Sequence, residues 1–285
     1  MVIKYLGTAA AEGIPSVFCD CEVCREAREK KGRFIRTRSQ AILDGTLLID
    51  FPADTYMHSL LYDIDLSKIG HVLITHIHED HYYPMELVNR QAGFCRGMKR
   101  ETLVLHGSKD IRDRAQAIFG VCLSDSPNRL QEQKRIEFDL LKPYETYVIE
   151  GFSVTALPAS HGTPHPYVYI VEKGGKTLFY FNDSGYLSEE AMKFLKEKKI
   201  KFDLVSYDCT WGKDDAGGAV GHHMGIPNNA EARKRFIENG NYKDGTIDVI
   251  THFSHNIQSS GYEDMLKIAK DDGFLLSYDG MEIEF

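Results

Sequence analysis

A histidine-rich stretch, "THIHEDH" at residues 75–81, carries the strongest chemical signal in the chain. It places His76, His78, Asp80 and His81 close together, directly after the short apolar run "HVLI". Neutral histidine is the commonest metal ligand in proteins, and a carboxylate adds a hard anionic donor. Histidines two positions apart cannot share a helix face, but a turn after a strand lets all four side chains converge. The stretch therefore predicts a metal site at the end of a buried strand.

A second cluster of ligand-type residues lies near the start of the chain, where "FCDCEVC" contains Cys19, Cys21 and Cys24. Three thiols form neither a whole number of disulfides nor a complete tetrahedral metal site. Six cysteines in 285 residues are too sparse for a disulfide scaffold. We therefore expect a reducing cytoplasmic location, where a close cysteine cluster favours metal binding. His255 in "THFSH" would complete a Cys₃His zinc site, a common structural type, although it could also be an ordinary loop histidine.

The elements that must position these side chains alternate between strands and helices. We expect strands at 2–7, 71–76, 101–107, 152–159, 202–208 and 247–255, and hairpins at 40–51 and 166–183. We expect helices at 108–119, 188–198, 227–238 and 262–271, the second of them capped by Ser188. Polar residues gather just after several of the strands. This arrangement indicates a layered α/β protein with its site at one edge of the sheet.

Length, composition and charge narrow the alternatives. A chain of 285 residues with 42% hydrophobic and 27% charged residues is typical of one globular domain, spanning 1–285. The sequence contains no run of about 18 apolar residues and no signal-peptide pattern, so we expect no membrane partner. The net charge of -8 argues against a nucleic-acid partner, because that affinity comes largely from Lys and Arg. A small phosphate-bearing substrate remains compatible with it.

The stretch "HIHEDH" matches the HxHxDH signature of the metallo-β-lactamase superfamily, which this sequence resembles over most of its length. The resemblance implies an αββα four-layer sandwich, the metallo-β-lactamase fold, with further metal ligands at other strand ends. The segment "LGTAAAEGIPSVFCDCEVC", the second histidine of "THFSH" and the ending "YDGMEIEF" are similar to the PhnP-like phosphodiesterase branch of that superfamily.

Carried over residue by residue, the resemblance implies two divalent ions in the active site, zinc or manganese, and one structural zinc. The ligands implied for the first active-site ion are His76, His78 and His161. Those implied for the second are Asp80, His81 and His252, with Asp183 as the bridge between the two ions. The structural zinc is expected at Cys19, Cys21, Cys24 and His255. All the ligand types are present, which favours a catalytic centre over a decayed relative.

The stretch "GHHMGIP" at 221–227 supplies a candidate general acid. A phosphodiester hydrolase must protonate a poor alkoxide leaving group, and a positioned histidine suits that task. The resemblance implies that a histidine before a helix performs it, and we favour His223 over His222. A loop pair without function is the alternative. Asp80 is expected to act in catalysis as well as in metal binding, and "DDAGGAV" at 214–220 has the composition of a mobile cover loop.

Two arginines, Arg36 and Arg38 in "FIRTRSQ", could attract a phosphate. They follow the basic stretch "REKKGR", which favours a solvated surface segment. We therefore leave them outside the expected site.

These features together predict hydrolysis of a small phosphodiester by a metal-bridging hydroxide, and the resemblance points to a ribosyl cyclic phosphate. A tRNA 3′-processing nuclease is one alternative, but it would need a basic surface or a clamping arm. A thioester or lactone hydrolase would use the same metals without the cysteine cluster. A non-catalytic metal-binding accessory protein is disfavoured by the intact "HIHEDH". The resemblance also implies a homodimer.

Overall fold

Two seven-stranded mixed sheets lie at the centre of the computed structural model, which describes residues 1–123, 126–216, 222–256 and 261–285. The first sheet contains β1 (Val2–Gly7), β2 (Gln40–Leu43), β3 (Leu47–Ile49), β4 (His71–Leu73), β5 (Leu103–Gly107), β6 (Ile136–Leu140) and β14 (Glu282–Glu284). The second contains β7 (Thr146–Ile149), β8 (Phe152–Pro158), β9 (Tyr167–Lys173), β10 (Lys176–Phe181), β11 (Phe202–Asp208), β12 (Tyr242–Thr251) and β13 (Leu275–Leu276).

The helices among the described residues are α1 (Glu22–Lys30), α2 (Thr55–Leu61), α3 (Lys109–Cys122), α4 (Arg129–Glu132), α5 (Glu189–Glu197), α6 (Ile226–Glu238) and α7 (Tyr262–Asp271). Short 3₁₀ helices cover Gly32–Phe34, Leu66–Lys68 and Pro84–Arg90. Within the described part of the chain, no helix is long and apolar enough to cross a membrane.

Strand direction brings the functional residues to one edge. The first sheet runs in the order β14-β1-β2-β3-β4-β5-β6, and β3 to β6 are parallel. The second runs in the order β13-β12-β11-β10-β9-β8-β7, and β10 to β13 are parallel. Because β9 is antiparallel to both β8 and β10, the strand β8 points the same way as β10. The carboxyl ends of β8, β10, β11 and β12 therefore meet at the same edge.

Three apolar clusters define the layers. One lies between the sheets and includes Tyr5 and Leu73 from the first sheet and Phe152 and Tyr180 from the second. Another joins the outer face of the second sheet to residues of α1, α5, α6 and α7. The third joins the outer face of the first sheet to α3. Helix, sheet, sheet and helix thus follow one another, which confirms the expected αββα sandwich.

Most of the expected elements are present with small shifts at their ends. Both expected hairpins form, and their turn residues Asp44, Gly45, Gly174 and Gly175 all have positive φ angles. The Ser188 hydroxyl accepts a hydrogen bond from the Ala191 amide at 3.2 Å, as expected of an N-cap. Helices α1 and α2 and the edge strands β6, β7, β13 and β14 were not expected from the sequence. Residues 217–220 of the expected cover loop lie outside the described residues.

One expectation was wrong. Arg36 is not solvated, since its relative exposure is 5%, whereas Arg38 lies at the surface and pairs with Asp54 at 3.0 Å. The local basic composition was misleading, because the backbone of Arg36 pairs with Ile14 in an isolated bridge that turns its side chain inward.

Candidate metal sites and general acid

The expected ligands of the active site come from loops that follow strands in both sheets. The segment after β4 carries His76, His78, Asp80 and His81, and the loops after β8, β10 and β12 carry His161, Asp183 and His252. These seven side chains, far apart in sequence, converge into two groups that share Asp183.

The first group consists of His76, His78, His161 and Asp183. Oδ2 of Asp183 lies 3.1 Å from Nε2 of His76 and 3.3 Å from Nε2 of His161. Nδ1 of His78 lies 3.1 Å from the same nitrogen of His76 and 3.0 Å from that of His161. Three imidazole nitrogens and one carboxylate oxygen therefore surround a single point.

The second group consists of Asp80, His81, Asp183 and His252, all of them buried. Oδ2 of Asp183 lies 3.2 Å from Nε2 of His81 and 3.8 Å from Nε2 of His252. These two nitrogens are 3.1 Å apart, and Oδ2 of Asp80 lies 3.4 Å and 3.5 Å from them. One oxygen of Asp183 is thus common to both groups, as a bridging ligand would be.

The donor sets fit divalent ions. A tetrahedral site with metal–nitrogen distances of about 2.0–2.1 Å places its ligand nitrogens about 3.3 Å apart, close to the spacings found here. Without an ion, the imidazole nitrogens that face one another would have too few protons for every contact between them to be a hydrogen bond. The mixture of imidazole and carboxylate ligands suits zinc and manganese alike.

Each ligand histidine that points Nε2 inward has its Nδ1 held by an outer partner. His81 donates to Asp50 at 2.7 Å, and His76 donates to the Thr75 hydroxyl at 3.0 Å. His161 donates to the carbonyl of His222 at 3.2 Å, and His252 donates to the Thr210 hydroxyl at 2.7 Å. These bonds fix the tautomer and leave the Nε2 lone pair free for a metal.

Backbone geometry also aims three of these side chains. Asp50, Asp183 and His252 have φ angles of 67°, 49° and 65°. This left-handed region is uncommon for residues other than glycine, and such conformations cost about 1–3 kcal/mol. The surrounding structure must hold them, which is characteristic of functional positions.

Asp208, at the end of β11, is a functional candidate that the sequence analysis missed. It is fully buried and accepts hydrogen bonds from the Thr210 hydroxyl at 2.6 Å and the Met224 amide at 2.8 Å. Its carboxylate lies 3.4 Å from Nδ1 of His252 and 3.3 Å from Nδ1 of His223. It therefore orients a metal ligand and the expected general acid together. The sequence feature that could have indicated Asp208 is its position as the polar last residue of the apolar strand "FDLVSYD".

His223 lies beside the shared carboxylate, whereas the ring of His222 is exposed. Nδ1 of His223 is 2.9 Å from Oδ1 of Asp183 and 3.2 Å from the Thr210 hydroxyl. Burial lowers the pKa of His223, but its bonds to Asp183 and Asp208 outweigh that effect and raise the pKa to about 11. Its contacts with polar groups of the described residues all use Nδ1, which leaves Nε2 for another partner.

The expected structural site is also assembled. Cys19, Cys21, Cys24 and His255 present ligand atoms that lie within 4.8 Å of one another. Sγ of Cys21 is 3.5 Å from Nδ1 of His255. Burial raises the pKa of Cys21, but bonds to the Cys24 backbone and His255 lower it to about 7, which favours the thiolate that a metal needs.

The family model for the beta-lactamase superfamily domain matches residues 47–239, more than half of the chain. The chain therefore belongs to the metallo-β-lactamase superfamily. The expectation that it is a hydrolase of this superfamily is confirmed. The matched residues include all expected active-site ligands except His252.

Among curated relatives, ribonuclease Z of Staphylococcus carnosus (strain TM300) is 27% identical over 164 residues, which cover 58% of this chain and 47% of the relative. Ribonuclease Z of Staphylococcus aureus (strain MSSA476) is 26% identical over 164 residues, which again cover 58% of this chain and 47% of the relative. The chain thus matches about half the length of these relatives.

Solved structures resemble the whole chain. A diphosphatase from the PhnP family has a TM-score of 0.71 at 20% identity, covering 100% of this chain and 96% of its own. Zn²⁺-bound PqqB from Methylobacterium extorquens has a TM-score of 0.72 at 20% identity, with 100% of both chains covered. Human tRNase Z, short form, has a TM-score of 0.63 at 20% identity, covering 100% and 99%. At these identities the likeness shows the fold.

Proposed function

We propose that this protein is a metal-dependent phosphodiesterase that hydrolyses a small phosphodiester, such as a ribosyl cyclic phosphate. The observation that carries the proposal is the shared oxygen of Asp183, Oδ2, which lies within 3.3 Å of His76, His81 and His161. The other oxygen, Oδ1, lies 2.9 Å from Nδ1 of His223. A centre for two ions beside a protonated histidine suits in-line displacement at phosphorus with a poor leaving group.

Two bound zinc or manganese ions would lower the pKa of a water and offset the charge that develops on the phosphate. The chain's own residues would hold these ions: Asp183 would contribute to both sites, and the outer partners fix the orientation of the histidines. Burial raises the pKa of Asp80, but His81 and His252 hold it well below the usual range, so Asp80 stays an anionic ligand. His223 would hold its proton on Nε2 and deliver it to the leaving oxygen.

The proposal includes a structural zinc at Cys19, Cys21, Cys24 and His255. The convergence of three thiols and one imidazole supports it. Because thiolate sites of this kind need reduced cysteines, we place the protein in the cytoplasm. A small-molecule substrate and a homodimer complete the proposal.

The test is turnover by the metal-loaded protein of four substrate classes in parallel. We expect hydrolysis of bis(p-nitrophenyl) phosphate and of a ribosyl cyclic phosphate, with little action on thioesters or lactones. Fast thioester or lactone hydrolysis without diesterase activity would refute the proposal. An Asp183→Ala variant, which loses the bridge, controls for contaminating activity.

A second candidate is tRNA 3′ processing, which the similarity to staphylococcal ribonuclease Z favours. The net charge of -8 opposes it, because tRNA affinity depends on neutralising phosphates. Cleavage of a tRNA precursor at a discrete 3′ position, stronger than cleavage of the small diesters, would establish this candidate instead.

A further inference from the structure

Arg36 is a buried cation outside both candidate metal sites. Its relative exposure is 5%, and its guanidinium carbon lies 4.1 Å from the ring centroid of Phe253 and 5.6 Å from that of Tyr262. Nη1 donates to the Thr8 hydroxyl at 2.7 Å and to the Ser277 carbonyl at 2.8 Å. Among the described residues, no acceptor takes a hydrogen bond from Nε or Nη2.

No carboxylate of the described chain forms an ion pair with Arg36. The nearest link is indirect, since the Thr8 hydroxyl that accepts from Arg36 donates to Asp279 at 2.6 Å. Burial lowers the pKa of Arg36 to about 10, although the negative charge of Asp279 acts in the opposite direction. A buried cation without a directly bonded anion is costly, so an anion beside it would stabilise the fold.

Arg36 lines a cavity. Its walls are formed by Ile14, Val23, Phe34, Gly212, Phe253, Tyr262 and Met265, and its polar lining is Arg36, Lys213, Ser254 and Glu26. It offers a volume of about 40 Å³, whereas one water needs about 10–15 Å³. The cavity therefore has room for a few waters, or for one tetrahedral oxyanion in their place.

The charges around the cavity favour an anion. Lys213 adds an exposed ammonium to the lining. The single lining carboxylate, Glu26, is paired with Lys30 at 2.8 Å, which offsets its negative charge. Ser254 lies on the same wall, and its hydroxyl donates a hydrogen bond to the carboxylate of Glu12. Two cationic donors beside a mainly apolar wall match the donor pattern that oxyanions need.

We propose that this cavity binds a small free oxyanion, of the class of inorganic phosphate, at a site separate from the candidate dinuclear centre. The guanidinium of Arg36 holds two of its oxygens through Nε and Nη2, and Lys213 covers the outer side. The aromatic walls exclude any larger group that the phosphate might carry.

Calorimetric titration with inorganic phosphate tests the site, with phosphate binding at the metal centre removed by Asp183→Ala. We expect that variant to bind about one phosphate per chain. Adding Arg36→Met should weaken binding at least about a hundredfold, because two charge-assisted hydrogen bonds are lost. An Asp183→Ala protein that binds no phosphate, or binding that survives Arg36→Met, would overturn the proposal.

A variant at the exposed lining residue Lys213 keeps the proposal testable if Arg36→Met fails to fold. Lys213→Met changes an exposed side chain, and in the Asp183→Ala background it should raise the phosphate Kd by roughly two- to fivefold. An unchanged Kd would count against the site. Phenyl phosphate is the source control: we expect no binding of this monoester, and binding as tight as that of inorganic phosphate would refute a closed site for the free ion.

Discussion

Replacement of His223 by alanine is the sharpest test of the proposed chemistry. The Nδ1 atom of His223 is engaged by Asp183 at 2.9 Å and Asp208 at 3.3 Å, so Nε2 is the atom that can face a leaving oxygen. An alkoxide leaves slowly unless it is protonated as the P–O bond breaks, whereas a weakly basic nitrophenolate leaves without help. The variant should therefore separate the two kinds of substrate.

The expected magnitude follows from the loss of one general acid. Such groups contribute about 10²–10⁴-fold, which corresponds to about 2.7–5.4 kcal/mol of transition-state stabilisation. We expect His223→Ala to reduce kcat/KM for a ribosyl or alkyl diester by that factor. For bis(p-nitrophenyl) phosphate the loss should stay below about tenfold. Steady-state kinetics on both substrates, with metal content measured on the same samples, gives the comparison.

The pH profile supplies an independent readout. Because the pKa of His223 is raised to about 11, the histidine is protonated at neutral pH and loses its proton only as the pH rises. Bound cations would take up part of the Asp183 charge and move that alkaline limb to lower pH. For alkyl diesters the wild-type profile should fall on the alkaline side, and His223→Ala should lack this fall.

His222→Ala is the matched control, because it keeps the carbonyl that binds His161 and removes an exposed ring whose centroid lies 6.4 Å from that of His161. It should leave both substrates largely unaffected. The reasoning fails if His223→Ala slows both substrates equally, or if the control shows the selective loss instead. His223 also lies in a group with Asp183, Asp208 and His252, so loss of a metal ion from His223→Ala would make it a ligand.

Further predictions concern the metal sites and their support. Cys21→Ser should lose one of about three metal ions per chain and lower Tm, because a structural zinc stabilises only the folded state; elemental analysis and calorimetry test this. Asp183→Ala should retain about one ion, the structural zinc, and elemental analysis showing all three retained would contradict the bridge. Asp208→Asn should keep its metals but move the alkaline limb for alkyl diesters to lower pH, because His223 loses an anionic partner; an unmoved limb would contradict this role.

The fold could be predicted from the sequence, and the residues proposed as ligands could be selected from it, for a physical reason. The ligands follow apolar strands, and both features leave marks in the order of residues: "HVLI" precedes His76, and "KTLFYF" ends just before Asp183. The turn glycines likewise marked the hairpins. Helix α1 was missed because its positions are largely charged and only Cys24 and Ala27 are buried.

The outer partners could not be predicted in the same way. Asp50 binds His81 across 31 positions, and Thr210 binds His252 across 42, so no fixed spacing identifies either pair. Arg36 shows the same limitation, since its burial depends on Thr8 and Ser277, which are 28 and 241 positions away. Contacts set by tertiary packing leave no local pattern in the sequence.

The segment from His252 to His255 connects the two candidate metal sites. His252 adopts a left-handed backbone with φ 65°, which must be held from outside. The next residue, Phe253, donates its amide to Thr8 and accepts from the Ala10 amide, both at 2.9 Å, so the N-terminal segment supports it. His255, at the other end of the 252–255 segment, lies 3.5 Å from Sγ of Cys21 in the N-terminal segment. A zinc ion at the cysteine cluster would therefore hold the N-terminal segment against the segment that carries His252. The zinc would contribute to catalysis indirectly, by keeping His252 in position.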